Sequence, residues 1–313
     1  MRWQRARRWW WTFAVVLALV TTEIVMGGTP RRHLNLYAAP VAASRYVEQY
    51  PQLKTIADVP QAIWLGPTWT SDVYNTVLDH MVKAAGKTVQ LAVYGIPNRD
   101  NGGHSAGGSA DAADYYGWVG AAGAAIGNGH AIVVLEPDAL GLSRDLADPA
   151  ARAARKQMIA TAVVILKKQP HAAVYIDASM WVDVSENAEL LTEAGVARAD
   201  GFALNTSLYS TTASCYAYGD ALSARVNGKH YVCDTSRNGQ GPLDKQWCNV
   251  AGRGLGELPQ APPDSQPLAD ALLWVKHPGE SDGPCNGGPG AGQFWPQYAL
   301  DLIAHTAPGT LDH

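Results

Sequence analysis

Seven short apolar segments recur along the chain, at residues 61–66, 88–94, 131–136, 171–176, 201–205, 230–234 and 271–276. The clearest, Ala131-Ile132-Val133-Val134-Leu135-Glu136, has five apolar residues in succession with no polar alternation. That is the pattern of a strand buried on both faces. Helical patterns occupy residues 72–85, 110–126, 149–168, 187–194, 213–226 and 296–305, the first capped by Ser71 and closed by Gly86. Strands alternating with helices imply a parallel, barrel-like α/β sheet rather than an all-β or bundled fold. Residues 34–60 read as an N-terminal arm with a short helix around 42–50, and no internal repeat, linker or second domain is evident.

Residues 1–30 differ from the rest. Arg2, Arg5, Arg7 and Arg8 precede an apolar run over residues 9–20, and small residues Gly27 and Gly28 follow. This is the layout of a secretory signal; the alternative is an uncleaved anchor, although the run is short for a membrane span. The remaining 20 basic and 27 acidic residues give a net charge of −7, which argues against nucleic acid or an anionic membrane as partner. Cys215, Cys233, Cys248 and Cys285 all lie in the exported part, so disulfides rather than a metal site are expected. Cys215–Cys233 with Cys248–Cys285 closes the more local loops; the other two pairings stay open at this stage.

Polar residues gather where the strands end. Tyr94 and Asp100 follow the second strand, Asp138 the third, Asp177 the fourth and Asn205 the fifth. Asp234 and Arg237 follow the sixth, and Lys276, Glu280 and Asp282 the seventh. Carboxyl ends of parallel strands are where barrel chemistry sits. Pro137 stops the third strand and presents Asp138 just beyond it, although Asp138 could equally cap the next helix. The nine His are scattered, no G-x-S-x-G occurs, and the glycine-rich residues 98–108 lack phosphate-loop spacing. Paired carboxylates with aromatic residues point instead to glycoside hydrolysis. Trp64, Trp181 and Trp274 fall on or just after strands, where their faces could stack on sugar rings.

Six segments carry a closer likeness: Val93-Tyr94-Gly95-Ile96-Pro97-Asn98-Arg99-Asp100, Val134-Leu135-Glu136-Pro137-Asp138, Tyr175-Ile176-Asp177-Ala178, Leu204-Asn205-Thr206-Ser207, Asp234-Thr235-Ser236-Arg237-Asn238-Gly239, and Trp274 to Asp282. They resemble the motifs of glycoside hydrolase family 6, in that family's order, from about residue 36 to the end. The resemblance implies a single catalytic domain over residues 31–313, folded as a distorted (β/α) barrel of about seven parallel strands. It implies a secreted, inverting endo-β-1,4-glucanase that needs no cofactor or metal and acts as a monomer on β-1,4-glucan or cello-oligosaccharides. By position, Asp138 would be the general acid, Asp100 would raise its pKa, and Tyr94 would lie under the distorted sugar. Asp282 would be the base candidate, held by Arg237, with Lys276 and Glu280 on the same loop. Trp64, Asp177, Trp181, Asn205 and Trp274 would contribute to sugar subsites.

Several positions depart from the family pattern. Asn101 and Leu146 stand where many members have a disulfide, whose absence is expected to loosen the Asp100 loop. Cys248 and Cys285 match the family's second bridge, and Cys215 with Cys233 looks like an addition. Ala106 replaces a Ser that holds water in some members, with Ser105 one residue away. The segment Ala178-Ser179-Met180-Trp181 is short and lacks a His, and Leu208 replaces a polar residue. Short loops after Asp138 and Asp282 favour an open cleft and internal cleavage over exo-acting cellobiohydrolysis. A non-catalytic glycan-binding protein on the same fold and a metal-dependent barrel hydrolase are the competing readings.

Overall fold

A computed structural model describes residues 34–68 and 72–311, so the leader, Trp69 and the Ser71 cap lie outside the described residues. The arm folds as two 3₁₀ turns, Ala42–Tyr46 and Pro51–Leu53, followed by the short helix α1, Lys54–Ala57. Strand and helix then alternate as β1 (Ile63–Leu65), α2 (Val73–Ala84), β2 (Val89–Val93), α3 (Ala112–Ile126), β3 (Ala131–Leu135), α4 (Ala139–Ser143) and α5 (Pro149–Leu166). They continue as β4 (Ala172–Asp177), α6 (Val184–Glu193), β5 (Gly201–Leu204), α7 (Thr212–Ser223), β6 (His230–Asp234), β7 (Ala269–Leu273) and α8 (Pro296–Ala304). The seven strands form one parallel sheet in chain order, with Val93 opposite Leu135 and Leu135 opposite Ile176.

The pleat sorts the strand residues into two cores. Leu91, Val93, Val133, Leu135, Ile176 and Phe202 point outward and pack beneath the helices. Ala92, Val134, Ala203, Val232, Ala271 and Leu273 point inward and fill the curl of the sheet. The inward set is mostly small, which lets the sheet close tightly around its axis. β1 and β7 share no strand ladder. The Ala62 amide donates to the Trp274 carbonyl (3.0 Å), and the Trp64 indole N–H donates to the Val275 carbonyl (2.8 Å) across that seam.

The expected elements are present with shifted ends. Asp72 caps α2 by accepting from the Asn75 amide, and Asp183 starts α6 three residues earlier than the pattern indicates. β7 stops at Leu273, because the amides of Val275 and Lys276 turn from the ladder to the carboxylate of Asp234. Helix α4 was not expected from the sequence; it begins directly after Asp138. Two disulfides are present, in the local pairing. Cys215–Cys233 ties α7 to β6, and Cys248–Cys285 joins the loops after β6 and β7.

Cys215–Cys233 spans 18 residues between α7 and β6, so its chain-entropy contribution is about 3 kcal/mol. A Cys215→Ala/Cys233→Ala variant is expected to lose that amount in urea unfolding. A loss below about 1 kcal/mol would show that the bridge constrains the unfolded chain little.

Candidate active site

A cleft of about 1140 Å³ opens at the carboxyl ends of the strands, where Trp64, Tyr94, Asp100, Asp138, Lys276 and Asp282 meet. Positive φ angles at non-glycine residues concentrate here: Asn98, Asp100, Asn101, Glu136, Asp138, Ser179, Asn205 and Ser207. Left-handed backbone at such residues costs on the order of 1 kcal/mol each and persists only where neighbours over-determine it. In this chain the neighbours are buried carboxylates.

Glu136, fully buried at the end of β3, accepts from the Gly95 amide (3.0 Å) and the Ile96 amide (3.1 Å) in the loop after β2. Burial pushes its carboxyl up to about 7 despite those donors and the nearby Arg99. Asp177, at the end of β4, accepts from the Asp138 amide (3.1 Å) and the Ser179 amide (3.0 Å), and burial raises it to about 6. Asp234, at the end of β6, accepts from the amides of Ser236 (2.9 Å), Val275 (3.2 Å), Ser207 (3.1 Å) and Lys276 (3.0 Å). Burial raises its carboxyl too. Each of these acids fastens a loop from a neighbouring strand.

Asp138 is the N-cap residue directly before α4, with φ 68°, and its side chain makes no cap to the helix. The helix-cap alternative therefore fails, and its carboxyl is left to the cleft. Burial, then the charges of Asp177, Asp100 and Asp282, hold it well above the ordinary carboxylate range, against a smaller pull from Lys276. Asp282 lies in the opposite environment. Its Oδ2 accepts from Arg237 Nη1 (2.8 Å) and the Asn249 amide (2.9 Å), and Oδ1 faces Lys276 Nζ at 3.1 Å. Burial alone would raise it, but Arg237 and Lys276 outweigh burial and hold it below the usual range. The cleft thus contains one carboxyl pushed well above the ordinary carboxylate range and one held below it.

Tyr94 is buried beneath the cleft, edge-on to Trp64 (5.4 Å between rings) and with the Arg99 guanidinium over its own ring at 4.8 Å. Burial, Asp138 and Asp100 all push its hydroxyl upward, so it stays protonated. Asp100 opens a 3₁₀ turn and accepts from the Ser105 amide (2.7 Å). The loop carrying it is not left untied. Asn101 donates to the Leu142 carbonyl in α4 (2.8 Å) and accepts from Arg155 Nη1 in α5 (2.7 Å), bridging the loops after β2 and β3.

Three expected sugar contacts are corrected. Trp274 is 0% exposed and packs in the core under α8, its indole N–H donating to the Glu257 carbonyl. Asn205 is buried and fully occupied, bonding Ser210 through both amide atoms and the Asp234 carbonyl. Asp177 grips backbone amides. None of the three lines the cleft, whereas Trp64, Trp181, Lys276 and Glu280 do; buried Arg237 holds Asp282 as expected and also spans the Ser207 carbonyl and the face of Tyr209. Trp181 is 46% exposed.

Trp247 also lines the cleft, 53% exposed and 6.1 Å from the His104 ring, and sequence reasoning passed over it. Its place directly before Cys248, in a loop pinned by a disulfide, was the available signal. Asn249 was also missed: its side chain accepts from the Asp282 amide (2.7 Å) and donates to the carbonyls of Gly283 and Cys285.

The family model described as "Glycosyl hydrolases family 6" matches residues 30–306. Endoglucanase A of Cellulomonas fimi is 46% identical over 256 residues, covering 80% of this chain; the chain spans about half (55%) of that protein. A probable 1,4-β-D-glucan cellobiohydrolase C of Aspergillus fumigatus is 29% identical over 319 residues, covering 83% of this chain and 70% of that protein. Among solved structures, the endoglucanase Cel6 of Mycobacterium tuberculosis, in complex with methyl-cellobiosyl-4-deoxy-4-thio-β-D-cellobioside, superposes with a TM-score of 0.83 at 40% identity. The match covers 87% of this chain and 97% of that one.

Because Glu136 rises from 4.5 to about 7, the folded state binds more protons than the unfolded state in that window. Stability from this group is therefore present at low pH and is lost as pH rises from about 4.5 through 7. At about 1.4 kcal/mol per unit the difference is at most roughly 3 kcal/mol. Glu136→Gln is expected to be less stable at pH 5 and to lack this decline, read as the unfolding midpoint against pH. Parallel profiles for the two proteins would exclude Glu136 as its source.

Proposed function

The chain belongs to glycosyl hydrolases family 6, and from that premise we propose that it is a secreted endoglucanase cleaving β-1,4-glucan chains with inversion. The observation that carries this reading is that one cleft holds Asp138 among carboxylates, which push its pKa up, and Asp282 against Arg237 and Lys276, which push its pKa down. Glycoside cleavage needs a carboxylic acid that still holds its proton near neutral pH. Asp138 meets that need and donates to the leaving glycosidic oxygen. Asp100 adds negative charge that helps retain the proton and steadies the oxocarbenium-like transition state.

Asp282 is the anion that faces the developing positive charge. With Arg237, Lys276 and the Asn249 amide all bonded to it, it is a weak proton acceptor, so its contribution is mainly electrostatic. Tyr94 and Trp64 form the floor beneath the sugar at the cleavage point. Trp181 and Trp247 offer exposed faces for pyranose rings further along the cleft, and Lys276 and Glu280 supply polar contacts to hydroxyls.

Internal cleavage is supported by the higher identity to a named endoglucanase than to a named cellobiohydrolase. It is supported also by the five residues that separate α4 from α5, which leave little chain to roof the cleft. Two disulfides and the signal-like residues 1–30 support export, and residues 31–313 would form the catalytic unit. The substrate partner is a cello-oligosaccharide or longer glucan, engaged by a monomer.

Asp138→Asn is expected to lower viscosity loss and reducing-sugar release on carboxymethylcellulose by at least about 100-fold, the scale of a lost general acid. The same variant is expected to keep much of its activity on a cellobioside whose phenolic leaving group needs no proton. Equal losses on both substrates would remove Asp138 from the acid role, and full activity on carboxymethylcellulose would remove it from the chemistry.

A further inference from the structure

His277 sits where the loop after β7 crosses the seam to β1, and both of its ring nitrogens meet oxygen. Nδ1 is 2.8 Å from Glu280 Oε1, and Nε2 is 2.6 Å from the carbonyl oxygen of Ala62. A backbone carbonyl can only accept, so Nε2 carries a proton. The proton between Nδ1 and Glu280 then decides the state of the pair. Lys276 adjoins both groups and favours the ionised carboxylate, which places that proton on the ring.

We propose that His277 is a positioning residue, held as an imidazolium that donates from both nitrogens, fixing Glu280 in the cleft and fastening the β7 loop to β1. Both residues line the cleft, and both side chains are mostly covered, at 18% exposure for Glu280 and 17% for His277. The Glu280 backbone is held by its amide bond to the His277 carbonyl (3.1 Å) and by a bridge to Phe294, and among the described residues the hydrogen-bond partner of its carboxylate is His277. The ring therefore sets the direction in which the carboxylate faces a sugar hydroxyl. It also extends the set of bonds across the seam, beside Ala62 to Trp274 and Trp64 to Val275.

The charged groups bearing on the ring are Glu280, which favours the imidazolium, and Lys276, which opposes it; burial opposes it as well, and Glu280 with the Ala62 carbonyl prevails. The folded value thus lies above the ordinary 6.5. Stability from the clasp is full below the unfolded pKa and is lost as pH rises through the folded one. Deprotonation removes one of the two donors and frees Glu280.

The substrate part of this inference rests on the proposed function, and the tests separate the two. Nitrogen-15 NMR of the intact wild-type enzyme at pH 6 is expected to show both ring nitrogens of His277 protonated. A neutral tautomer at that pH would overturn the clasp, and no variant is needed to find it. Binding of cellotetraose, measured by calorimetry in the Asp138→Asn background to prevent turnover, is expected to weaken about tenfold on adding His277→Gln. Adding His277→Gln to Glu280→Gln is expected to change binding less than twofold, because the ring acts through the carboxylate. Additive losses would show general disruption and overturn the positioning role. If the parent protein fails to bind cellotetraose, the functional reading fails and the substrate role of His277 fails with it, whereas the NMR result still decides the clasp.

Discussion

The carboxyl end of this barrel is held by carboxylates bonded to backbone amides. Glu136, Asp177 and Asp234 end three strands, and each accepts N–H groups from a neighbouring strand's loop or from its own turn. A loop that leaves a parallel strand carries amides no ladder can satisfy, and a buried amide without a partner costs about as much as a lost hydrogen bond. A carboxylate meets several such donors at once, which a single carbonyl cannot do. The left-handed φ angles at Glu136, Asp138, Asn205 and Ser207 are kept in place by these bonds. Strain and restraint occur at the same positions, and the cleft is assembled from their result.

That collar also sets the electrostatics of the cleft. The Asp138 amide is fixed by Asp177, so a second carboxylate is kept close to the one that faces the cavity. Burial and that neighbour push the Asp138 carboxyl well above the ordinary range. A few residues past β7, Asp282 is just as enclosed, yet it meets a guanidinium, an ammonium and an amide. The two carboxyls are chemically the same group, and the difference lies in what was buried with them. Arg237, itself buried against Tyr209 and bonded to Ser207, supplies the larger part of that difference.

Strand positions were legible because apolar runs at parallel-sheet spacing leave few other folds, and β3 begins at the expected Ala131 and ends one residue before the expected Glu136. The row of acids at the strand ends was legible as well, but its meaning was only partly so. Asp138 and Asp282 face the cleft, whereas Asp177 and Asp234 face backbone, and nothing in residue type separates the two. Trp274 misled for a related reason. β7 ends one residue before it, and the turn that follows carries the indole into the core. Trp247 was overlooked because it belongs to a long loop, where position follows from the Cys248–Cys285 bridge rather than from periodicity.

The departure at Asn101 shows how positioning and global stability can be served by different bonds. In the chain-entropy account a disulfide acts mainly on the unfolded chain, so its stabilising effect depends on loop length more than on location. Holding a catalytic loop in place is a local task that depends on geometry in the folded state. Asn101 performs the local task with a bond to Leu142 and another to Arg155, a side chain itself buried and also bonded to the Asn98 carbonyl. These bonds act only in the folded state and leave the unfolded chain unconstrained. Cys215–Cys233, between α7 and β6, supplies a constraint of the missing kind where no cleft residue depends on its geometry. The two functions that one bridge near Asp100 would have combined are here divided between an amide in the cleft wall and a disulfide joining helix to strand.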